Sequence, residues 1–153
     1  MRYYDSINFK QGAKVYSLKT ESAFDSAHFL TDYYGKCENI HGHRWRVVVY
    51  IEQNELQQQG TMKDMVLDFG EFKSGVRALT ESLDHTFLVE EGSLRAETID
   101  ALKSEGFSLT MLPFRTTAEN LARYFAEKLI ERGLPVSKVE MYETPNNCAT
   151  YEC

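Results

Sequence analysis

The sequence predicts an α+β fold: a four-stranded antiparallel sheet with two long helices on one face. Three observations carry this. Segments rich in β-branched and aromatic residues lie near both ends of the chain. Two segments between them place apolar residues at helical spacing. The resulting order, strand, strand, helix, helix, strand, strand, is that of strands and helices segregated into layers rather than alternating.

Taken in order, Met1 to Ala13 form a polar, aromatic lead-in that reads as a loose N-terminal arm, with residues 1–153 as one domain. Val15 to Phe24 (VYSLKTESAF) reads as the first strand and Trp45 to Gln53 (WRVVVYIEQ) as a stronger second. NELQQQG is a polar turn, and MVLDF leads into a helix in which Phe72, Val76, Leu79 and Leu83 recur, with Asp68 placed to cap its N-terminus. Gly92 to Gly106 (GSLRAETIDALKSEG) is a short helical excursion between glycines. Thr116 followed by Glu119 resembles a capping box before a second long helix, whose buried stripe is Leu121, Phe125 and Leu129 and which Gly133-Leu134-Pro135 stops. The tail, SKVEMYETPNNCATYEC, reads as two short strands around a turn at Pro145 to Asn147.

A formal charge of −6 argues against non-specific binding to nucleic acid or an anionic membrane, both of which need a basic excess. No apolar run approaches the roughly 18 residues of a membrane helix, and the opening MRYYDSINFKQGAK lacks the apolar stretch of a signal peptide. Three cysteines without regular spacing make no disulfide framework. A reducing cytoplasm is their simplest setting, with Cys37, Cys148 and Cys153 as free thiols.

The stretch CENIHGHRW holds Cys37, His41 and His43, although the chain has only four histidines. His41 and His43 enter the second strand two residues apart, so both imidazoles point to one face. His28, in FDSAH at the end of the first strand, lands beside them if the two strands pair as a hairpin. Three neutral imidazoles suit zinc, leave a fourth position open and leave the ion its full charge as a Lewis acid. An isolated His-x-His also arises by chance, and a histidine at a strand end is often a satisfied core residue; spacing alone leaves both readings open.

The fourth histidine follows Asp84 in LDH. A carboxylate beside an imidazole suits a proton donor or relay, provided that Asp84 and His85 lie in the turn after the helix, since adjacent helical residues do not face each other. A solvated helix end is the competing reading. Cys37, near the expected ion, reads as a ligand, a base or nucleophile, or a loop thiol, and the open-site argument favours the base. Glu143, at a strand end in YETPNNCATY, either binds an amidine-like group or is solvated.

FDSAH, CENIHGH, MVLDF, LDH, TAENLA and VEMYETPNNCATY together resemble, in order and over most of the chain, the 6-pyruvoyltetrahydropterin and 6-carboxytetrahydropterin synthase family, which has the tunnelling or T-fold. The resemblance implies one zinc per subunit held by His28, His41 and His43, with Cys37 as catalytic base and Asp84 with His85 as proton relay. It implies that Glu143 grips the pterin's 2-amino and ring N–H edge and takes part in the relay. The implied substrate is 7,8-dihydroneopterin triphosphate. Three residues separate Cys37 from His41, similar to the carboxy-forming branch, which acts toward queuosine; pyruvoyl-forming members usually have a longer gap. Departures lie at LDHTFLVEE, at Arg115-Thr116 in place of the usual proline before TAEN, and in the longer excursion and arm.

Lys36, Arg44, Arg46 and Arg115 are the cations available to a triphosphate; none has a motif behind it, and solvated surface is the favoured reading of each. The family implies a homo-oligomer, trimers stacked into a hexamer, with sites between subunits; exposed sheet edges gain from such closure. Rival readings are a 6-pyruvoyltetrahydropterin synthase or related side-chain lyase, a non-catalytic zinc- or pterin-binding T-fold protein, and a hydrolytic zinc enzyme using Glu143 or Asp84 as base. No GxGxxG or P-loop is present to bind a nucleotide.

Overall fold

A computed structural model describes residues 15–153; the expected arm at residues 1–13 lies outside them. The organising element is a long antiparallel hairpin. Strands β1 (Tyr16–His28) and β2 (His41–Gln53) are each 13 residues long. They pair without a register break from Tyr16↔Gln53 at one end to His28↔His41 at the other. Both run several residues closer to the connecting loop than composition indicates, because Asp25, Ser26, Gly42 and Arg44 are poor strand formers that the ladder carries along. Strand β5 (Val136–Thr144) adds antiparallel to β2, and β6 (Asn147–Glu152) to β5, with the turn between them where Pro145 predicts it.

Among the described residues the sheet has six strands, in the order β4-β3-β1-β2-β5-β6, where four are expected. The additional pair, β3 (Thr86–Glu90) and β4 (Leu109–Leu112), flanks the glycine-bounded excursion, whose helix α2 (Ala96–Ser104) connects them. β3 runs parallel to β1 and β4 parallel to β3, so the sheet is mixed rather than purely antiparallel. Strands of five and four residues are too short to show an alternation, and that is why the periodicity does not reveal them.

Helices α1 (Phe69–Leu83) and α3 (Ala118–Glu131) cover one face. The side chains turned inward on the hairpin, Phe24 from β1 and Trp45, Val47, Val49 and Ile51 from β2, form one core with Phe72, Val76, Leu79 and Leu83 of α1 and Leu121, Phe125 and Leu129 of α3. Phe24 stacks between Trp45 and Phe125, at ring-centroid distances of 6.2 and 5.8 Å. Asp68 caps α1 as its position implies, accepting from the main-chain N–H groups of Gly70 and Glu71. The cap of α3 is Thr117, whose hydroxyl accepts from Asn120 N–H, and not Thr116. Two adjacent threonines offer the same local chemistry; tertiary packing chooses between them by turning Thr116 into the interior, where it is fully buried. No helix among the described residues is long and apolar enough to cross a membrane.

Candidate active site

The inward face of the hairpin changes from aromatic to imidazole at its open end. On β1 the inward positions run Phe24, Ser26, His28; on β2 they run Trp45, His43, His41. His28 and His41 are direct register partners, and the three imidazole centroids lie 4.5 to 5.1 Å apart. β5 brings a fourth group: Glu143 shares the inward parity of Met141, and its Oε1 lies 3.5 Å from His28 Nε2 and 3.3 Å from His43 Nε2. One ligand atom from each of these four residues lies within 4.8 Å of the others.

The hydrogen bonds behind the cluster decide what it can hold. A carbonyl oxygen only accepts, so the ring nitrogen facing one carries its proton. His28 Nδ1–H donates to the Thr116 carbonyl at 2.9 Å, and His41 Nδ1–H donates to the Asn39 carbonyl at 2.7 Å. The two Nε2 atoms, only 3.1 Å apart, are thereby left as lone pairs facing each other. His43 Nε2 is buried with no hydrogen-bond partner, and the Glu143 carboxylate beside it is another acceptor. Three acceptors, the Nε2 lone pairs of His28 and His41 and the Glu143 carboxylate, converge beside the unpartnered His43 Nε2, an arrangement that a cation or protons would satisfy. Protons are disfavoured: burial is the main influence that lowers His28 from 6.5 to about 4, the neighbouring imidazoles add to it, and the Thr116 carbonyl only partly opposes it. Burial also lowers His43, against the opposing pull of Glu143. The donor set therefore fits a divalent ion of zinc's preference, with two imidazoles already oriented from behind.

Asp84 and His85 meet the condition set for them. Asp84 ends α1, His85 lies in the turn before β3 with φ +56°, and His85 Nδ1–H donates to Asp84 Oδ2 at 2.7 Å. β1 fixes the pair from behind: the Asp25 N–H donates to Asp84 Oδ1 and the His85 N–H to the Asp25 carbonyl, each at 2.7 Å. The Asp25 N–H, followed by His85, holds the Asp84 carboxyl below its ordinary value, so it is charged at neutral pH. The His85 ring is 80% exposed and leaves Nε2 turned outward.

Cys37 is not among the four converging groups. It sits half-exposed on a single 3-10 turn, Lys36–Glu38, and its carbonyl accepts from Leu30 N–H, tying the loop to the end of β1. Cys148 and Cys153 are likewise free thiols. Of the candidate cations, Arg44 is paired with Asp25 at 2.7 Å, and Arg46 with Glu21 at 3.2 Å while lying over the Tyr142 ring. Lys36 belongs to the Cys37 turn, and the Arg115 carbonyl accepts from Asn120 at the start of α3.

Cavities open on both sides of the cluster. One of about 710 Å³ runs from His43 to His85 past Ile40, Phe87 and Phe107. Another, of about 300 Å³, lies at the N-terminus of α3, with Thr117, Glu119, Glu143 and Cys148 in its walls. Glu143 is thus common to the imidazole cluster and to the second cavity. Its place beside the imidazoles, and the orienting role of the Thr116 carbonyl, were not expected. Inward parity on β5 carries the first signal; a main-chain carbonyl leaves none.

The fold and the site define a tunnelling-fold protein with a histidine cluster at one end of its sheet. The chain belongs to the 6-pyruvoyl tetrahydropterin synthase family, whose pattern matches residues 17–153. It is 35% identical over 141 residues to the 6-carboxy-5,6,7,8-tetrahydropterin synthase of Haemophilus influenzae, covering 90% of this chain and 99% of that protein. A protein of the same name from Synechocystis is 31% identical over 139 residues, covering 90% and 93%. Among solved structures, a Wolinella succinogenes protein superposes with a TM-score of 0.73 at 22% identity over 91% of this chain and 98% of that one. The 6-pyruvoyl tetrahydropterin synthase of Caenorhabditis elegans does so with 0.65 at 24% identity, over 92% and 96%. These two likenesses bear on the fold.

Proposed function

We propose that this chain is a zinc-dependent lyase that converts 7,8-dihydroneopterin triphosphate and one water to 6-carboxy-5,6,7,8-tetrahydropterin, acetaldehyde and triphosphate on the way to queuosine. The observation that carries the reading is the convergence of His28, His41, His43 and Glu143 beside the α3 cavity. The names of the Haemophilus and Synechocystis relatives support this branch of the family.

His28, His41 and His43 would hold the ion. Bound there, it supplies Lewis acidity that makes C–H bonds next to the substrate's side-chain oxygens easier to ionise. Glu143 accepts from the 2-amino and ring N–H edge of the pterin, a guanidine-like pattern that matches two carboxylate oxygens. Cys37 removes a proton from the loop side. His85, kept in one tautomer by Asp84, returns a proton through Nε2, and its cavity reaches His43. Asp25 holds the relay in place with both its N–H and its carbonyl.

Three free thiols fit a cytoplasmic location. A homo-oligomer, trimer or hexamer, fits a sheet that ends in β4 and β6. The test is product analysis by mass spectrometry on dihydroneopterin triphosphate with zinc-loaded protein. A 6-carboxytetrahydropterin mass with acetaldehyde is expected. A pyruvoyl product would overturn the branch and keep the site, and recovered substrate would turn the reading to a binding protein.

A further inference from the structure

We propose that Thr116 and Asn120 are positioning residues for the metal site: the Thr116 hydroxyl, on a turn that Asn120 braces, sets the rotation of the His28 ring. The inference rests on the reading of the imidazole cluster as a metal site and adds the side chains that orient its most buried ligand.

The β1–β2 ladder fixes where the main chain of His28 lies, but it leaves the imidazole free to rotate about its own bond to the strand. His41 is oriented from within its own loop, by the Asn39 carbonyl. His28 is oriented from a position 88 residues away in the chain. Its Nδ1–H meets two acceptors of one buried residue, the Thr116 carbonyl at 2.9 Å and Thr116 Oγ1 at 3.2 Å. The hydroxyl proton is committed elsewhere: Oγ1 donates to the Phe29 carbonyl at 3.3 Å, which leaves its lone pairs for the imidazole. One side chain thus holds both the ring of His28 and the main chain of the residue that follows it. Asn120, in the first turn of α3, braces this turn on both sides of Thr116. Its Nδ2–H donates to the Arg115 carbonyl at 3.0 Å, and its main-chain N–H donates to Thr117 Oγ1 at 3.3 Å. The rotation held at Nδ1 decides whether Nε2, on the far side of the ring, meets the point it shares with His41 and His43.

The experiment uses the full chain. Zinc affinity is measured by chelator competition, the visible spectrum is recorded after cobalt substitution, and urea unfolding of the metal-free protein is followed alongside. Thr116→Val keeps the carbonyl and the shape and removes the hydroxyl. It is expected to weaken zinc about tenfold, the lower end of what a lost outer partner costs, and to shift the cobalt bands. Thr116→Ser restores the hydroxyl and should return affinity and spectrum to those of the wild type. Asn120→Ala should reproduce the loss, and the double variant should lose less than the product of the two, because both act through one ring. Losses that multiply in full would remove Asn120 from the device. Zinc affinity and cobalt bands unchanged in Thr116→Val, with only the urea midpoint moved, would overturn the positioning role and leave the metal reading intact. A wild type that binds no zinc would overturn both.

Discussion

Removing the metal should expose His28 as the chain's acid-sensitive point. In the metal-free protein its imidazole is fully buried and its pKa falls from 6.5 to about 4. Above pH 6.5 the residue is neutral whether folded or unfolded and has no effect. As the pH falls below 6.5 the unfolded chain takes up a proton that the folded chain refuses, so stability is lost progressively down to about pH 4 and then levels off. The interval from 6.5 to about 4, at about 1.4 kcal/mol per pH unit, amounts to about 3 kcal/mol. That is a large part of the roughly 5–15 kcal/mol by which a domain of this kind is stable. Urea unfolding of metal-free wild type and of His28→Asn at pH 7 and pH 4.5 measures it. Asparagine keeps an N–H toward the Thr116 carbonyl but does not titrate, and subtracting its pH dependence removes the contributions of other groups, His43 among them. Wild type should lose more stability than the variant over this interval. Equal losses would refute the argument that burial keeps His28 neutral. Zinc at 100 times its dissociation constant should raise wild-type stability at pH 7 by about 2.7 kcal/mol.

Cys37→Ala should retain zinc, because Cys37 is outside the converging set, while turnover falls by the roughly 10²- to 10⁴-fold that a positioned base contributes; metal analysis beside kinetics checks both halves, and lost zinc would make Cys37 a ligand. His85→Gln should lower kcat by a similar factor with little change in pterin affinity, and an altered ring affinity with intact kcat would move His85 out of the relay. Asp68→Ala should cost about 1 kcal/mol by urea unfolding through loss of the α1 cap, with zinc affinity unchanged.

What the sequence made legible follows local chemistry. Asp68 could be placed because a cap and the first helical turn lie within a few residues of each other. His28, His41 and His43 could be united because alternation and one hairpin suffice to bring them to the same face. Asp84 and His85 could be paired only conditionally, since their contact depends on where α1 stops, and β1 decides that through Asp25. Distant contacts were hidden. β3 and β4 exist because β1 offers an edge to Thr86 and Phe87, which no five-residue pattern announces. Thr116 and Thr117 are indistinguishable until one is turned toward His28. The place of Glu143 beside the imidazoles needs the register of β5 on β2, set across a long stretch of intervening chain.

The rungs of the β1–β2 ladder also separate two things that chemistry requires to act together. His28, His41 and His43 are fixed by pairing that continues unbroken into the core, so insertions or deletions in the loop from Phe29 to Ile40 leave their spacing alone. Cys37 belongs to that loop, together with the Asn39 carbonyl that His41 donates to, so a change in loop length bears on the thiol and on the support of one imidazole while the ladder spacing stays. On the reading proposed above, the candidate base can thus be varied while the three candidate metal ligands keep their spacing.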